Sequence, residues 1–304
     1  MYISVVIPSL NSPTIDLTLD ALLKQDALNN QPIAGYEVVI VGRDEPKLIT
    51  SHPLVRFIDT GSPMPPAQAR NLGAAETHGE WICFMDADCI PAPNWLATLL
   101  PHFSDPTVEI IGGGVTFSDQ AYWTLADNLA TFYEYLAIAP AGTRAQLPSL
   151  NLAVRRQTWE ALGDFHEGYP FPAGEDSEWT MRARMKGKTL HFVPDAMVEH
   201  RPTRNRVKDL LSHAYRFGRY SIKLSNAYPK IVQSPVLLSH WLLILLTAPA
   251  LAVGVTIKVM NATGWQYLRT MPAIFLAKMA WCCGAMMTRW RNDHPLMQQA
   301  TRVN

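Results

Sequence analysis

Ile231–Ile257 is a run of 27 residues without an Asp, Glu, Lys or Arg. A helix needs about 20 mainly apolar residues to cross a bilayer. With Leu237–Leu246 mostly Leu and Ile, the run is too long and too apolar for a helix buried in a water-soluble core. Pro249 and Gly254 permit a kink in it. Met271–Thr288 is a weaker second candidate because Lys278 lies at its middle, where a cation costs roughly 2.5–3.5 kcal/mol on insertion scales. Segment 231–304 is therefore expected to be a membrane anchor with one or two transmembrane helices.

Charge divides the chain near the same place. The 26 basic and 26 acidic residues cancel overall. Residues 1–200 nevertheless hold 12 Lys/Arg and 24 Asp/Glu, a net −12, whereas 201–304 hold 14 and 2, a net +12. Between Arg201 and Lys230 eight cations accompany one acid, Asp209, interleaved with Leu210, Leu211, Phe217, Ile222 and Leu224. Over 203–230 this predicts an amphipathic interfacial segment on anionic membrane lipid. Basic residues beside aromatics also suit RNA, but the apolar run that follows makes lipid the expected partner, and no nucleic acid is expected. If both candidate helices cross, 201–230 and the Arg289–Arg302 tail share one side, and the connecting loop carries only Lys258 and Arg269. The positive-inside rule then puts residues 1–202 on the cytoplasmic face of a cell inner membrane or plasma membrane. No basic n-region precedes Tyr2–Ile7, so no signal peptide is expected. Cys83, Cys89, Cys282 and Cys283 form no C-x-x-C pair and fit a reducing compartment.

Residues 1–202 read as one α/β domain. Ile3–Ile7, stopped by Pro8, Glu37–Val41, Val55–Ile58, Trp81–Met85 and a run near Val108–Ile111 have the short apolar character of buried strands. Helical spacing fills Thr14–Leu28, Ala67–Glu76, Asn94–Leu100 and Tyr122–Ile138. The alternation predicts a Rossmann-like, mostly parallel sheet flanked by helices. Ligands bind such sheets beyond the carboxyl ends of the strands, which singles out Ser9 and Asn11, Arg43 and Asp44, and Asp86 and Asp88. Alternate residues of an extended chain point the same way, so Asp86 and Asp88 are expected to converge. A hard divalent cation, Mg²⁺ or Mn²⁺, relieves their repulsion and grips a substrate diphosphate. Two solvated loop aspartates are the bland alternative.

Four segments in this order resemble the family 2 glycosyltransferases, whose nucleotide-sugar-binding fold is GT-A. They are Val5-Val6-Ile7-Pro8-Ser9-Leu10-Asn11, Ala69-Arg70-Asn71-Leu72-Gly73, Gly79-Glu80 through Asp88, and Gly174-Glu175-Asp176-Ser177-Glu178. The resemblance spans about residues 1–202. It implies an inverting, Mg²⁺- or Mn²⁺-dependent transfer of sugar from a nucleotide diphosphate sugar, a UDP-sugar first, to a hydroxyl of a lipid-linked or glycan acceptor. Cell-surface polysaccharide or glycolipid synthesis is the implied setting. Donor-side roles fall to Pro8, Ser9, Asn11, Arg70, Asn71 and Asp86, and metal ligation to Asp88 with Asp86. Arg70, near a helix start where anions are welcome, faces either a phosphate or a salt-bridge partner; Asn71 either organises a loop or touches ligand. Where the family carries consecutive aspartates after its second strand, this chain has Gly42-Arg43, and Asp44 is expected to substitute one residue later.

An acceptor hydroxyl must lose its proton as it attacks the anomeric carbon, and a fixed carboxylate opposite the departing diphosphate accepts it. The resemblance implies Asp176 as that base, with Glu175 second. The alternative is that both merely favour the helix dipole, with Arg182, Arg184, Lys186 and Lys188 at the far end. Gly163-Asp164-Phe165 and Tyr169–Gly174 read as acceptor-side loops, and Trp179 and Phe171 as core rather than sugar platforms. His200, after another apolar run, is a candidate metal or diphosphate contact, against the reading of a structural histidine. A sugar-1-phosphate nucleotidyltransferase is the competing enzyme class, but Ser9-Leu10-Asn11-Ser12-Pro13 lacks its Gly-rich loop. A catalytically inactive membrane-bound sugar-binding protein is disfavoured by intact Asp86, Asp88 and Asp176 and kept alive by Gly42. Arg289-Trp290 lacks the Gln of the Q-x-x-R-W string of processive synthases, so one or few sugars per acceptor are expected.

Overall fold

The computed structural model describes residues 1–30, 33–118, 121–169, 173–229, 231 and 235–291. Along the chain its elements are β1 (Tyr2–Leu10), α1 (Ile15–Leu23), α2 (Asp26–Asn30), β2 (Gly35–Arg43), β3 (Val55–Asp59), α3 (Pro66–Ala75), β4 (Trp81–Met85), β5 (Cys89–Pro91), α4 (Trp95–Ser104) and β6 (Ile110–Thr116). Then follow α5 (Tyr122–Phe132), β7 (Gly142–Thr143), β8 (Asn151–Arg155), α6 (Arg156–Leu162), α7 (Glu175–Met185), β9 (His191–His200), α8 (Val207–Ala227), α9 (Trp241–Thr263) and α10 (Met271–Arg291). Two compact units result: unit 1 is Met1–Ser118 with Tyr135–Arg201, and unit 2 is Asp119–Glu134 with Pro202 onward.

Unit 1 is a mixed α/β layer around one sheet of order β3-β2-β1-β4-β8-β6-β9-β5, with β7 against β9. Strands β1 to β4 run parallel, as do β6 and β9; β8, β5 and β7 run against their neighbours. Pro8 lies inside β1 rather than ending it. Asn11 N donates to Arg43 O on the β2 side, so by alternation Pro8 faces the other side, where β4 pairs only with Ile3–Val6. The missing N–H therefore breaks no ladder. Thr14–Leu28 divides into α1 and α2, and the helix expected to reach Ile138 ends at Phe132 with a 3₁₀ turn, Tyr133–Tyr135. In the Arg70 segment Gly73 is required by packing: a Cβ there would stand 2.4 Å from Val6 Cγ1, so α3 lies directly on β1. Trp159 stacks on Trp179 at 5.4 Å, with Phe84 and Phe165 packed edge-on, under α7. This aromatic core fixes the start of α7 that carries Glu175 and Asp176.

Unit 2 takes α5, from inside the expected 1–202 domain, and joins it to α8, α9 and α10. Gly218 and Gly284 bring α8 and α10 into backbone contact, since a Cβ would stand 1.9 Å from Trp281 O or 2.0 Å from Tyr215 O. Two segments of this unit, Trp241–Thr263 and Trp265–Arg291, are long and apolar enough to cross a membrane.

Candidate active site

The strand-end carboxylates are set by a turn. Cys89 N donates to Asp86 O at 3.0 Å, so Asp86-Ala87-Asp88 bends instead of extending. Ala87 O accepts from Ser12 Oγ at 2.9 Å, Thr18 Oγ1 at 3.2 Å and Thr14 Oγ1 at 3.4 Å, tying the turn to the loop after β1 and to α1. The bend gives Asp86 and Asp88 different partners, Arg70 and His200.

Asp86 Oδ1 accepts from Arg70 Nη2 at 2.6 Å, and Arg70 Nη1 donates to Glu175 Oε1 at 2.9 Å. The Arg70 and Glu175 side chains are 3% and 4% exposed. Burial works against the charge on Arg70, but Asp86 and Glu175, with Asp176 beyond, outweigh it and hold the guanidinium above its ordinary pKa. Glu175 responds oppositely to the general rule for a paired acid. Burial first, then repulsion from Asp176, push it up to about 7 against the pull of Arg70. One cation is shared among more carboxylates than it can neutralise. Among the described residues Arg70 Nε, Glu175 Oε2 and Ser9 Oγ are buried without a hydrogen-bond partner, which is the condition in which polar atoms await a ligand or water.

Asp88 belongs to a second group. Cys89 of β5 pairs with His200 at the end of β9, and Arg201 N donates to Asp88 O at 2.8 Å. Asp88 Oδ1 consequently lies 3.6 Å from His200 Nε2. The donor atoms of Asp88, Cys89 and His200 all fall within 4.8 Å of one another. Burial, then Asp88 and Asp86, raise the Cys89 thiol well above its ordinary pKa, so it stays protonated and a poor ligand. Carboxylate and imidazole remain, a donor set that suits Mn²⁺ or Mg²⁺ with other positions of the shell left for water or phosphate oxygens. The residues present thus fit a divalent ion held jointly with a donor. Asp86 is outside this group, its near oxygen taken by Arg70.

Other expected donor residues are engaged in shaping loops. Asn71 accepts from Phe165 N at 2.9 Å and donates to Phe165 O and Glu167 Oε1 at 2.9 and 3.0 Å, so its amide clamps the 165–167 loop. Asp44 accepts from Leu48 N and Ile49 N at 3.0 and 2.8 Å, folding its own loop. Asn11, in the left-handed region at φ 54°, accepts from Glu45 N at 2.9 Å. A Cβ on Gly42, whose φ is 143°, would stand 1.8 Å from Ser9 O. The close approach of β1 and β2 explains why no aspartate occupies that position. Ser9 and Pro8 remain at the end of β1 beside it.

Asp176 is half-buried in the first turn of α7. Its Oδ2 accepts from Ser149 N at 3.0 Å and Ser149 Oγ at 3.3 Å, and its Oδ1 from Ser177 N at 2.7 Å. Gly174, in the left-handed region at φ 102°, starts the helix. Trp179 is fully buried and donates to Gly163 O at 2.8 Å, a core residue. Phe171 lies outside the described residues. Sequence reasoning missed Ser149 and the hydroxyls on Ala87; Ser149 carried no signal, whereas the Ser12, Thr14 and Thr18 hydroxyls could have been read as caps for the following turn.

Acidic and cationic side chains gather past the strand ends of a Rossmann-like sheet, where such folds bind ligands. The family model described as glycosyl transferase family 2 matches residues 4–158, a little over half of the 304. The chain belongs to that family and is a glycosyltransferase. Glycosyltransferase AglE of Haloferax volcanii is 27% identical over 296 residues, 93% of this chain and 92% of the relative. The pre-mycofactocin glycosyltransferase of Mycobacterium tuberculosis is 28% identical over 170 residues, 54% of this chain but 36% of the relative. Among solved structures, the mannosyltransferase PcManGT from Pyrobaculum calidifontis, in complex with GDP-Man and Mn²⁺, matches with a TM-score of 0.58 at 19% identity, over 96% of this chain and 87% of that one. GalNAc-T7 with UDP, GalNAc and Mn²⁺ gives 0.52 at 16%, over 77% and 52%. The fold is GT-A.

Proposed function

We propose that the protein transfers a sugar, with inversion, from a nucleotide diphosphate sugar to a hydroxyl of a lipid-linked or glycan acceptor at a membrane surface, in cell-surface polysaccharide or glycolipid synthesis. The reading is carried by the adjacency of Glu175 and Asp176. Glu175 ties α7 through Arg70 to Asp86 on the donor side, while Asp176, one residue on, is held by Ser149 with partial exposure. Asp176 is the general base that takes the acceptor proton. Glu175 is too buried and too engaged with Arg70 for that task and positions the donor-side charges instead. Asp88 and His200 hold the divalent ion, which supplies positive charge to the departing diphosphate. Ser9 offers its hydroxyl to the donor. A UDP-sugar remains the first donor to try. GDP-sugars stand beside it, because Gly42 removes the usual base-contacting acid and a structural neighbour binds GDP-Man. The C-terminal helices attach the enzyme to an inner or plasma membrane, catalytic unit on the cytoplasmic face.

Single-turnover transfer from a panel of UDP- and GDP-sugars, with Mn²⁺, tests this reading. Asp176→Asn is nearly isosteric and should lose about 10²–10⁴ in transfer rate with donor affinity near wild type. Near-normal transfer by that variant would overturn the base assignment.

A further inference from the structure

Asn151, at the start of β8, is a polar side chain sealed inside unit 1 at 3% exposure. Its Nδ2 donates to Ala196 O at 2.8 Å and to Gly114 O at 3.2 Å, and its Oδ1 accepts from Trp95 Nε1 at 3.0 Å. An indole N–H only donates and a carbonyl only accepts, so one orientation of the amide serves all three partners.

These bonds close a gap in the sheet. Strands β6 and β9 run parallel and pair Gly113 with Val193, then Val115 with Val198. Gly114 on β6 therefore faces residues 194–197 on β9, and the ladder is interrupted there. Both carbonyls that Asn151 binds lie inside the interruption. Buried carbonyls need a donor, and a side chain from β8 supplies what the ladder does not. Strand β6 makes room for the amide by carrying glycine: a Cβ on Gly113 would stand 2.1 Å from Asn151 Nδ2 and 2.3 Å from Ala196 O.

Beyond the interruption lie the two ion ligands. Strand β9 resumes its pairing at Val198 and ends at His200, which pairs with Cys89 of β5. Asp88 precedes Cys89, and its Oδ1 lies 3.6 Å from His200 Nε2. The backbone of Asn151 pairs with Met85, the last residue of β4 before the turn that carries Asp88. Trp95, its third partner, opens α4 directly after β5. Asn151 thus joins the strand that ends in His200 to the elements on both sides of Asp88. A strand advances about 3.3 Å per residue and turns its side chains over with each one. A slip of one residue at the end of β9 would carry the imidazole away from Asp88.

We propose that Asn151 is a positioning residue for the divalent ion: by bonding Gly114 O and Ala196 O it fixes the register at which β9 delivers His200 to Asp88. It acts through His200, and the inference rests on the ion site proposed above.

Calorimetric titration of the full chain with GDP and with UDP, at stepped Mn²⁺ concentrations, tests it on wild type, Asn151→Ala and Asn151→Ser, with thermal unfolding recorded for each. The quantity read is the Mn²⁺ concentration at half-maximal nucleotide binding. Asn151→Ala should raise it by about tenfold or more, the scale on which residues behind metal ligands act, and saturating Mn²⁺ should restore binding. Asn151→Ser keeps one donor on a shorter side chain and should shift the midpoint less, in the same direction; it decides the matter if Asn151→Ala does not fold. An asparagine that only stabilises the core would lower the unfolding temperature and leave the Mn²⁺ midpoint in place. That result, in a variant that still unfolds cooperatively, would overturn the inference. A wild type whose nucleotide binding ignores Mn²⁺ would remove the ion site itself and the inference with it, so the wild-type arm separates the two failures.

Discussion

Two buried charge clusters, one in each unit, are built from similar parts and finished differently. In unit 2 both oxygens of Asp127 are used, by Arg204 at 2.6 Å and His213 at 2.8 Å. Burial favours the neutral acid there, but His213 and Arg204 outweigh it and hold Asp127 below its ordinary pKa. In unit 1 Arg70 is divided between Asp86 and Glu175, Glu175 is pushed up to about 7, and Arg70 Nε, Glu175 Oε2 and Ser9 Oγ have no partner. A buried unsatisfied group costs about 1–3 kcal/mol. The closed cluster has met its electrostatic needs within the fold and holds helices together. The open one leaves buried polar atoms that a ligand or water can complete.

The contrast breaks most easily at Asp127. Asp127→Ala leaves Arg204 and His213 facing a gap and should destabilise unit 2 by about 3–5 kcal/mol, read by chemical denaturation; a loss under about 1 kcal/mol would mean that the cluster is not structural. Its pH dependence follows in sign. The folded-state pKa is depressed, so the Asp127 contribution is present above the ordinary value of 3.8 and fades as pH falls through the folded value. Glu175 has the reverse sign. With its folded-state value raised from 4.5 to about 7, its contribution is full below 4.5 and is lost as pH rises towards 7. Glu175→Gln should remove that slope from the unfolding free energy and weaken donor binding by the order of tenfold, the worth of a hydrogen bond to a charged group. A slope that survives the substitution would assign it to another residue. The smallest effect belongs to Ser9→Ala, which deletes a hydroxyl that has no partner among the described residues. Thermal stability should move by less than about 0.5 kcal/mol, while donor affinity falls by about 0.5–1.5 kcal/mol. Unchanged affinity would take Ser9 out of the site.

Much of this was legible where the pattern is short-ranged. Trp81–Met85 reads as a strand because every residue is apolar, and it is one, buried throughout. Glu175 to Gly187 reads as a helix from its acidic start and basic end, and the helix runs over Glu175–Met185. Direction and partnership were less legible. The sequence singles out Asp86 and Asp88, yet the Cys89–Asp86 turn that carries them leads into β5, which pairs with a strand over a hundred residues later. Tyr122–Phe132 has the apolar spacing of a helix, but spacing does not say which unit it packs on; that is decided by partners at Arg204, His213 and Lys278. Gly42 stood out as a departure from the family pattern, and only the approach of Ser9 O gives the reason. Ser149 has no local signature at all, since its role comes from reaching Asp176 across the fold.

The central claim is that the open cluster and the Asp88–His200 pair together receive the diphosphate of a nucleotide sugar with a divalent ion. Calorimetric titration of the full chain with UDP- and GDP-sugars, with Mn²⁺ and with excess chelator, on wild type and Asp88→Asn, tests it most directly. The account predicts saturable binding of at least one donor in Mn²⁺, its disappearance in chelator, and affinity at least about tenfold weaker in Asp88→Asn, the scale of one charged contact, at unchanged thermal unfolding. Equal donor affinity in chelator, or in Asp88→Asn, would contradict it.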